Sequence, residues 1–159
     1  MENISSNSAR ISEIRNIDDM KRKLPELLKL PRIHDPRGNL TFAQSFAQLP
    51  FELRRAYWIY DVPGGEGRGG HAHYEMDEVL VAVSGSFEVE VFDGYSWRKY
   101  LLNKPFEGLY IPSGLWITVV DFSSGAVCLA LASTDFAESD YVREFEDYKR
   151  LSLEMEPVF

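Results

Sequence analysis

The chain has 159 residues, a size that fits one domain with one hydrophobic core. Hydrophobic residues make up 45% of it and aromatic residues 13%, which excludes an intrinsically disordered chain. The net charge of −8 argues against a surface for nucleic acid or an anionic membrane, although a local group of arginines can still bind a small anion.

The first predicted element is a helix near the N-terminus. Ile17–Leu30 has the spacing of apolar residues that is typical of a helix, with an interruption at Pro25 and an end at Pro31. We therefore predict a partly helical N-terminal extension at residues 1–30 and a single domain at residues 31–159.

Short strands separated by turn signals follow. Asp93-Gly94 is a hairpin signal between the alternating segment Phe87–Val91 and the segment Trp97–Leu102. The other predicted strands are Asn39–Phe46, Arg55–Val62, Glu78–Val83, Leu109–Ile111, Leu115–Phe122 and Ala126–Ala132. Strands at this spacing predict an all-β sandwich or barrel.

The tail of the chain predicts one helix on the outside of the β structure. Ser139 or Asp140 can cap it, and Tyr141, Phe145 and Tyr148 would share one face. The charged residues of this segment are interpreted as its solvated face.

The sequence shows no sign of export. No apolar run is long enough to span a bilayer, and the N-terminus has no hydrophobic region of a signal peptide. The one cysteine, Cys128, cannot form an intrachain disulfide and lies in an apolar run, where a buried thiol is unreactive. We expect a cytoplasmic protein that binds neither nucleic acid nor membrane.

A glycine-rich segment carries two of the three histidines of the chain. His71 and His73 are two residues apart and precede the strand Glu78–Val83. Side chains on a strand alternate with a period of two, so both imidazoles face the same side of a sheet, where each needs a partner, a metal or a substrate. Polar groups of this kind inside a β-barrel usually mark a ligand site.

Three interpretations of the histidine pair stay open. With Glu78 the pair could form a two-histidine-one-carboxylate metal site that leaves coordination positions open. Without a metal, two groups that titrate near neutral pH suit the transfer of protons. The third interpretation is that both histidines are structural residues of the sheet.

Other candidate residues have ordinary structural explanations beside the functional ones. Arg68 offers paired donors to an anion or a carbonyl, or it is a solvated loop residue. Arg37 follows Asp35 in a turn, where a local ion pair is expected. For Tyr57 and Tyr60 the default interpretation is packing, and a hydroxyl group in a cavity would be functional.

The spacing of Gly65, His71, His73, Glu78 and Gly85 matches the first signature of the cupin barrels. A longer ordered series resembles one cupin branch, the dTDP-sugar 3,4-ketoisomerases. The matching segments are residues 35–41, 50–63, 68–73, 84–86, 108–112, Trp116 and residues 121–127, 131–133 and 140–143. The resemblance extends from about Pro31 to Leu151.

This resemblance implies an all-β fold, a cupin jelly-roll antiparallel β-barrel with a short C-terminal helix, in a homodimer without metal or cofactor. It implies an isomerase that moves the keto group of a dTDP-4-keto-6-deoxyhexose from C4 to C3 through an enediol. Such an enzyme serves the biosynthesis of deoxyamino sugars for surface polysaccharides or similar glycans. His71 and His73 match the proton-transfer residues of the family. The substrate contacts that we expect are Arg68, Tyr57, Tyr60, Arg37, Glu78 and Trp116.

The chain also departs from the family at three places. Tyr74 replaces a lysine, Glu78 replaces a frequent glutamine, and Ile117-Thr118 replaces Arg-Glu. Ile117 also stands where a metal cupin has its last histidine, so we expect no metal. Two other functions stay open. One is a non-catalytic cupin that binds a sugar nucleotide. The other is a metal-dependent cupin oxygenase, because Glu78 completes the first cupin signature.

Overall fold

The structure is a computed structural model that describes residues 23–154, in which antiparallel strands are the main secondary structure. The strands are β1 (Glu26–Lys29), β2 (Arg32–Asp35), β3 (Gly38–Thr41), β4 (Arg55–Tyr60), β5 (Arg68–His73), β6 (Glu78–Ser84), β7 (Phe87–Phe92), β8 (Trp97–Leu102), β9 (Glu107–Ile111), β10 (Trp116–Val120), β11 (Val127–Ala132) and β12 (Tyr141–Val142). Helix α1 (Phe145–Leu153) follows them. The predicted mostly β fold with a short C-terminal helix is confirmed.

Two antiparallel sheets enclose the main core. The first sheet has the order β1-β9-β6-β11-β4, and the second has the order β12-β5-β10-β7-β8. Alternate side chains of β6, β9 and β11 meet those of β7, β8 and β10 between the sheets. Buried examples are Leu80, Leu109 and Cys128 from the first sheet and Phe87, Val91 and Val119 from the second. The alternation of apolar and polar residues that predicted β7 therefore reflects this packing, in which every second side chain enters the core.

The outer face of each sheet is covered by a different part of the chain. The segment around Leu49 and Phe51 packs on Val79 and Val81 of the first sheet. Helix α1 packs on the second sheet, where the hydroxyl of Tyr148 donates to the carbonyl oxygens of Phe92 and Gly114. Both sheets are thus buried on both faces over part of their area.

The register of the second sheet places the histidine pair. Strand β5 pairs with β10 on one side and β12 on the other, with His71 opposite Ile117 and His73 opposite Tyr141. A β-bulge follows Ile117, and Gly69, at φ +86°, lies so close that an added Cβ would be 3.1 Å from the Ile117 carbonyl oxygen. Glycine is therefore required where β5 approaches the bulge, two residues before His71.

The helix predicted over Ile17–Leu30 is wrong in the part that the structure describes. Glu26–Lys29 is strand β1, which pairs with β9 at the edge of the first sheet. Tertiary pairing has overridden the weak helical spacing. The rest of that prediction lies at residues 1–22, outside the described residues. The domain boundary after residue 30 stays a prediction.

The C-terminal helix begins later than predicted. Glu138–Asp140 forms one 3-10 turn and Tyr141 belongs to β12, so neither Ser139 nor Asp140 caps the helix. Phe145 and Tyr148 face the sheet as expected, but Tyr141 does not share their face. Within residues 23–154 no helix is long and apolar enough to cross a membrane. The cytoplasmic location stays a prediction.

Candidate active site

The two histidines of β5 lie side by side on the inner face of the second sheet. The ring centroids of His71 and His73 are 4.8 Å apart. The ring of Tyr141, delivered by β12, is 5.0 Å from His71 and 4.3 Å from His73, both edge to face. The prediction that both imidazoles face the same side is confirmed, and an aromatic ring fixes their planes.

Asp140 holds the inner histidine. Its Oδ2 lies 3.1 Å from Nδ1 of His73, and both side chains are largely buried. The other ring nitrogen of His73, Nε2, is buried and has no hydrogen-bond partner among residues 23–154. His73 therefore has one ring nitrogen that is held by Asp140 and one that makes no hydrogen bond with the described residues.

His71 is more exposed and is kept neutral. Burial first, and then the neighbouring His73 and Arg143, lower the pKa of His71 to about 4. A histidine in this state is uncharged at neutral pH and can accept a proton.

A second polar group faces the histidines from the first sheet. The hydroxyl of Tyr57 on β4 donates to Oε2 of Glu78 on β6 at 2.8 Å. Glu78 is fully buried, and this burial raises its pKa, while His73, Tyr57 and Arg55 oppose part of the rise. Burial and the Glu78 carboxyl raise the pKa of Tyr57 above its ordinary value, so the phenol keeps its proton.

These groups line or adjoin a cleft of about 440 Å³. The cleft lies between the inner faces of the two sheets, and its polar lining includes Arg55, Arg68, His71, Tyr57, Tyr141 and Arg143. Its apolar lining includes Ile117, which lies opposite His71 on β10. A volume of this order lies in the range of small-molecule sites.

The three arginines of the cleft are held in different ways. Arg55 stacks over the ring of Tyr57 at 5.2 Å and over Phe136 at 5.4 Å. Arg143 stacks over Tyr141 at 4.2 Å and forms two hydrogen bonds with Glu138. Arg68 is exposed at the start of β5. Stacking on an aromatic face leaves the N–H donors in the plane of the guanidinium group to meet an anion, and in Arg143 the Nε and Nη2 donors already go to Glu138.

Some residues that we predicted for the site are in place. The cleft lining contains Arg68, Tyr57 and His71, and His73 and Glu78 lie directly behind it. The roles of these five residues stay predictions, but the structure brings them together.

Three predicted substrate contacts lie elsewhere in the protomer. Tyr60 is exposed on the outer face of β4, because the strand alternates and Tyr57 points inward. Trp116 is buried beneath α1, with ring centroids 5.2 Å from Phe145. Arg37 is exposed at the tip of the β2–β3 hairpin, where it pairs with Asp35. None of the three lines this cleft, and their role as substrate contacts stays a prediction.

Sequence reasoning missed the contribution of the tail. Asp140, Tyr141 and Arg143 all reach the site, whereas the sequence interpretation placed them on the wet side or the face of a helix. A strand of two residues gives no alternation to detect. The one available signal was the resemblance of residues 140–143 to the family, and we assigned no role to these residues from it. Arg55 also lines the cleft and was not among the predicted site residues.

A metal site does not form from the described residues. Within residues 23–154 there is no group of three or more histidine, cysteine, aspartate or glutamate side chains placed to hold a metal ion. The carboxylate of Glu78 is instead bonded to Tyr57, and Cys128 is buried with its pKa raised to about 12. The expected independence from metal stays a prediction to be tested by elemental analysis.

Comparison with known proteins places this arrangement in context. A family model described as FdtA, WxcM-like, C-terminal matches residues 10–152. The chain is 36% identical over 125 residues to the TDP-4-oxo-6-deoxy-alpha-D-glucose-3,4-oxoisomerase of Aneurinibacillus thermoaerophilus. That alignment covers 79% of this chain and 90% of the relative.

Solved structures of the same kind superpose on the chain. A 3,4-ketoisomerase from Helicobacter canadensis has a TM-score of 0.79 and 35% identity, covering 81% of this chain and 97% of the other. A variant of the 3,4-ketoisomerase QdtA from Thermoanaerobacterium thermosaccharolyticum, in complex with TDP-4-keto-6-deoxyglucose, has a TM-score of 0.80 and 32% identity. The second alignment covers 82% of this chain and 94% of QdtA.

Proposed function

The chain belongs to the FdtA (WxcM-like, C-terminal) family, and on this basis we propose that it is a dTDP-sugar 3,4-ketoisomerase. It moves the keto group of a dTDP-4-keto-6-deoxyhexose from C4 to C3 in deoxysugar biosynthesis. The observation that carries the proposal is the pair of imidazoles, His71 and His73, packed together beside a cleft whose other polar groups are arginines and a tyrosine.

The reaction needs only the movement of protons. A base removes the proton from C3, the C3–C4 bond gains double-bond character, and the C4 carbonyl oxygen becomes the oxygen of an enediolate. The hydroxyl group at C3 then loses its proton, the oxygen at C4 gains one, and a proton adds to C4, so that C3 becomes the new ketone and C4 carries the hydroxyl group. One proton moves between the two carbons and one between the two oxygens, so an acid–base pair suffices.

The histidine pair has the properties that this reaction requires. His71 is neutral at physiological pH and lines the cleft, and His73 has an unused buried nitrogen. A proton taken from C3 by one imidazole leaves a positive charge beside the enediolate, which stabilises the developing negative charge in a site sheltered from water. The hydroxyl of Tyr57 keeps its proton and donates it in a hydrogen bond to Glu78, and the phenol oxygen can still accept a hydrogen bond from a sugar hydroxyl.

The charges of the cleft fit an anionic ligand. The chain as a whole carries a net charge of −8, yet the cleft lining contains three arginines: Arg55, Arg68 and Arg143. Guanidinium groups bind phosphate oxygens through paired hydrogen bonds. We assign these arginines to the diphosphate of the nucleotide or to the sugar oxygens, which supports a dTDP-linked keto-sugar as the ligand.

Isotope exchange tests the proposal directly. The protein is incubated with dTDP-4-keto-6-deoxyglucose in D₂O, and the sugar is followed by NMR. We expect the 3-keto product with deuterium on the ring carbon that is protonated during turnover. His34→Asn is the matched control, since the third histidine of the chain bonds Asn39 in the β2–β3 hairpin, away from the cleft.

The other outcomes of this experiment distinguish the alternatives. Binding of the sugar nucleotide without exchange or product would favour the non-catalytic cupin. Product without any solvent deuterium would contradict the enediol and require direct hydride migration. Activity that disappears with a chelator and returns with a transition metal would favour metal chemistry.

We further propose that the two sheets close into the cupin jelly-roll barrel and that two copies associate. The edge strand β8 of the second sheet lies next to β9 of the first, which supports closure on that side. The β2–β3 hairpin exposes Ile33 and Leu40, and the edge strand β4 exposes Trp58 and Tyr60. A second copy would cover these apolar groups.

A further inference from the structure

The carboxylate of Asp140 is built into the structure on three donors. Its Oδ1 accepts a hydrogen bond from the backbone N–H of Glu75 at 2.8 Å. Its Oδ2 accepts one from the backbone N–H of Met76 at 3.2 Å and lies 3.1 Å from Nδ1 of His73. The side chain of Asp140 is 11% exposed and that of His73 is 5% exposed. A carboxylate so placed cannot rotate without breaking a bond.

The backbone fixes the distance between this carboxylate and the imidazole. The N–H of Tyr74 donates to the carbonyl oxygen of Asp140 at 3.0 Å, and Tyr141 pairs with His73 across β12 and β5. The ring of Tyr141 lies 4.3 Å from that of His73. Asp140 therefore approaches His73 from the 3-10 turn directly before β12, and the ring has little freedom to turn away.

The chemistry of the donors decides the tautomer of His73. A carboxylate offers only acceptors, so Nδ1 of His73 must carry the proton that the two groups share. A neutral imidazole has one N–H, and Nε2 is then the atom with the free lone pair. Nε2 is buried without a partner among residues 23–154, which leaves the lone pair uncommitted.

We propose that Asp140 is a positioning residue that holds His73 in the Nδ1–H tautomer, so that the lone pair of Nε2 is the one that takes part in proton transfer. The proposal rests on the ketoisomerase function. When Nε2 takes a proton, the imidazolium forms next to a fixed carboxylate, which stabilises it without any rearrangement.

A purely structural role for Asp140 predicts a different result. The same carboxylate ties down the backbone of residues 75 and 76, so its loss could loosen the turn after β5. A structural role would lower stability and weaken activity in general, but it would not select one ring nitrogen of His73.

Nitrogen NMR of the histidine rings separates the two roles. In the wild-type protein at pH 8, without substrate, we expect the ring signals of His73 to show a proton on Nδ1 and a lone pair on Nε2. In Asp140→Asn with the amide oxygen in the place of Oδ1, the NH₂ group stands in the place of Oδ2 and cannot accept. The N–H groups of Met76 and of His73 Nδ1 then both lose their acceptor, and we expect the Nε2–H tautomer of His73 to appear. The signals of His71 should keep their pattern.

Kinetics supply the second readout. We expect Asp140→Asn to lower kcat by about 10²-fold or more, which is the contribution of a general base, with KM changed less than about threefold. Asp135→Asn is the matched control, because Asp135 lies in the same segment but is exposed and pairs with Arg54. It should leave both the tautomer and kcat unchanged.

Three results would overturn the proposal. The first is a wild-type His73 that carries its proton on Nε2, a measurement that needs no variant. The second is wild-type turnover in Asp140→Asn. The third is lower turnover in this variant with an unchanged tautomer. Absence of isomerisation in the wild type would instead remove the proposed function, and the wild-type tautomer would still decide whether Asp140 orients His73.

Discussion

At the scale of single residues, small side chains on β11 let the polar groups of two strands meet. Ala132 pairs with Arg55 on one side and with Glu78 on the other, and Ala130 lies between Tyr57 and Leu80. Alanine leaves room above the sheet, so the hydroxyl of Tyr57 reaches across β11 to Glu78. The carboxyl that completes this contact is fully buried, and its protonation is therefore linked to stability.

Substituting Glu78 tests that link. Burial raises the pKa of Glu78 above 4.5, so its protonated form is favoured by folding and its stabilising effect is lost as pH rises through the folded pKa. Glu78→Gln keeps an acceptor for Tyr57 and cannot ionise. As pH rises above 4.5, we expect the free energy of unfolding of this variant to increase relative to that of the wild type, by up to about 1.4 kcal/mol per pH unit.

Urea unfolding between pH 4 and pH 8 measures the effect. Glu66→Gln, which removes an exposed carboxyl in the loop before β5, controls for the loss of one negative charge. A constant difference between Glu78→Gln and wild type across this range would mean that Glu78 is ionised alike in the folded and unfolded chains.

Substituting the two histidines separates catalysis from folding. We expect His71→Asn and His73→Asn each to reduce isomerisation by at least about 10²-fold, because each removes an acid–base group. Asparagine retains a polar partner, so thermal unfolding should stay within a few degrees of wild type. His34→Asn should match wild type in both assays. Full activity in both cleft variants would remove the pair from the chemistry.

The sequence predicted those site residues that lie on one recognisable strand. The period of two placed His71 and His73 on one face, and the structure agrees. Asp140 and Tyr141 could not be found this way, because they reach the site through pairing between distant parts of the chain. The positions of Trp116 and Tyr60 away from the cleft could not be foreseen for a related reason: residue type marks a side chain as a candidate, but only the register shows which face it occupies.

At the scale of elements, strands with alternating or continuous apolar residues were predicted well. The strands β6 to β11 all correspond to predicted segments, and Asp93-Gly94 lies in the turn between β7 and β8. Strands β1 and β12 were missed because they have four and two residues and depend on a neighbouring strand. For such elements the pairing partner, rather than local propensity, decides the structure.

The turn between β6 and β7 offers a test of one glycine. Gly85 has a φ of +64°, and an added Cβ would lie 2.8 Å from the Cα of Ala126 and 2.5 Å from Oγ of Ser123. Gly125 has a similar φ of +73° but open space around it. Both alanine substitutions lose about 1–2 kcal/mol for the left-handed conformation.

We expect Gly85→Ala to lose roughly 1–3 kcal/mol more than Gly125→Ala, since the backbone of the facing turn must move to accommodate the methyl group. Urea unfolding of the two variants measures this difference. Equal destabilisation would show that the turn at Ser123–Ala126 yields at little cost and that only the φ angle matters.

At the scale of the whole molecule, more than half of the exposed large hydrophobic side chains of the described residues lie before residue 61. Ile33 and Leu40, which face each other across the β2–β3 hairpin, are each 55% exposed. A hairpin of two short strands is marginally stable alone in water. The edge strand β4 adds the exposed rings of Trp58 and Tyr60 and a row of backbone groups with no neighbouring strand in this sheet.

Light scattering tests whether a second copy covers this surface. We expect the wild type to have twice the mass of one chain at micromolar concentration. The double substitution Ile33→Glu and Leu40→Glu places two like charges in the proposed interface, where desolvation and repulsion oppose association, and should give the mass of one chain. Leu101→Glu alters an equally exposed leucine on β8, the edge of the other sheet, and should stay dimeric. A wild type with the mass of one chain would exclude the dimer, and a dimer in the double variant would place its interface elsewhere.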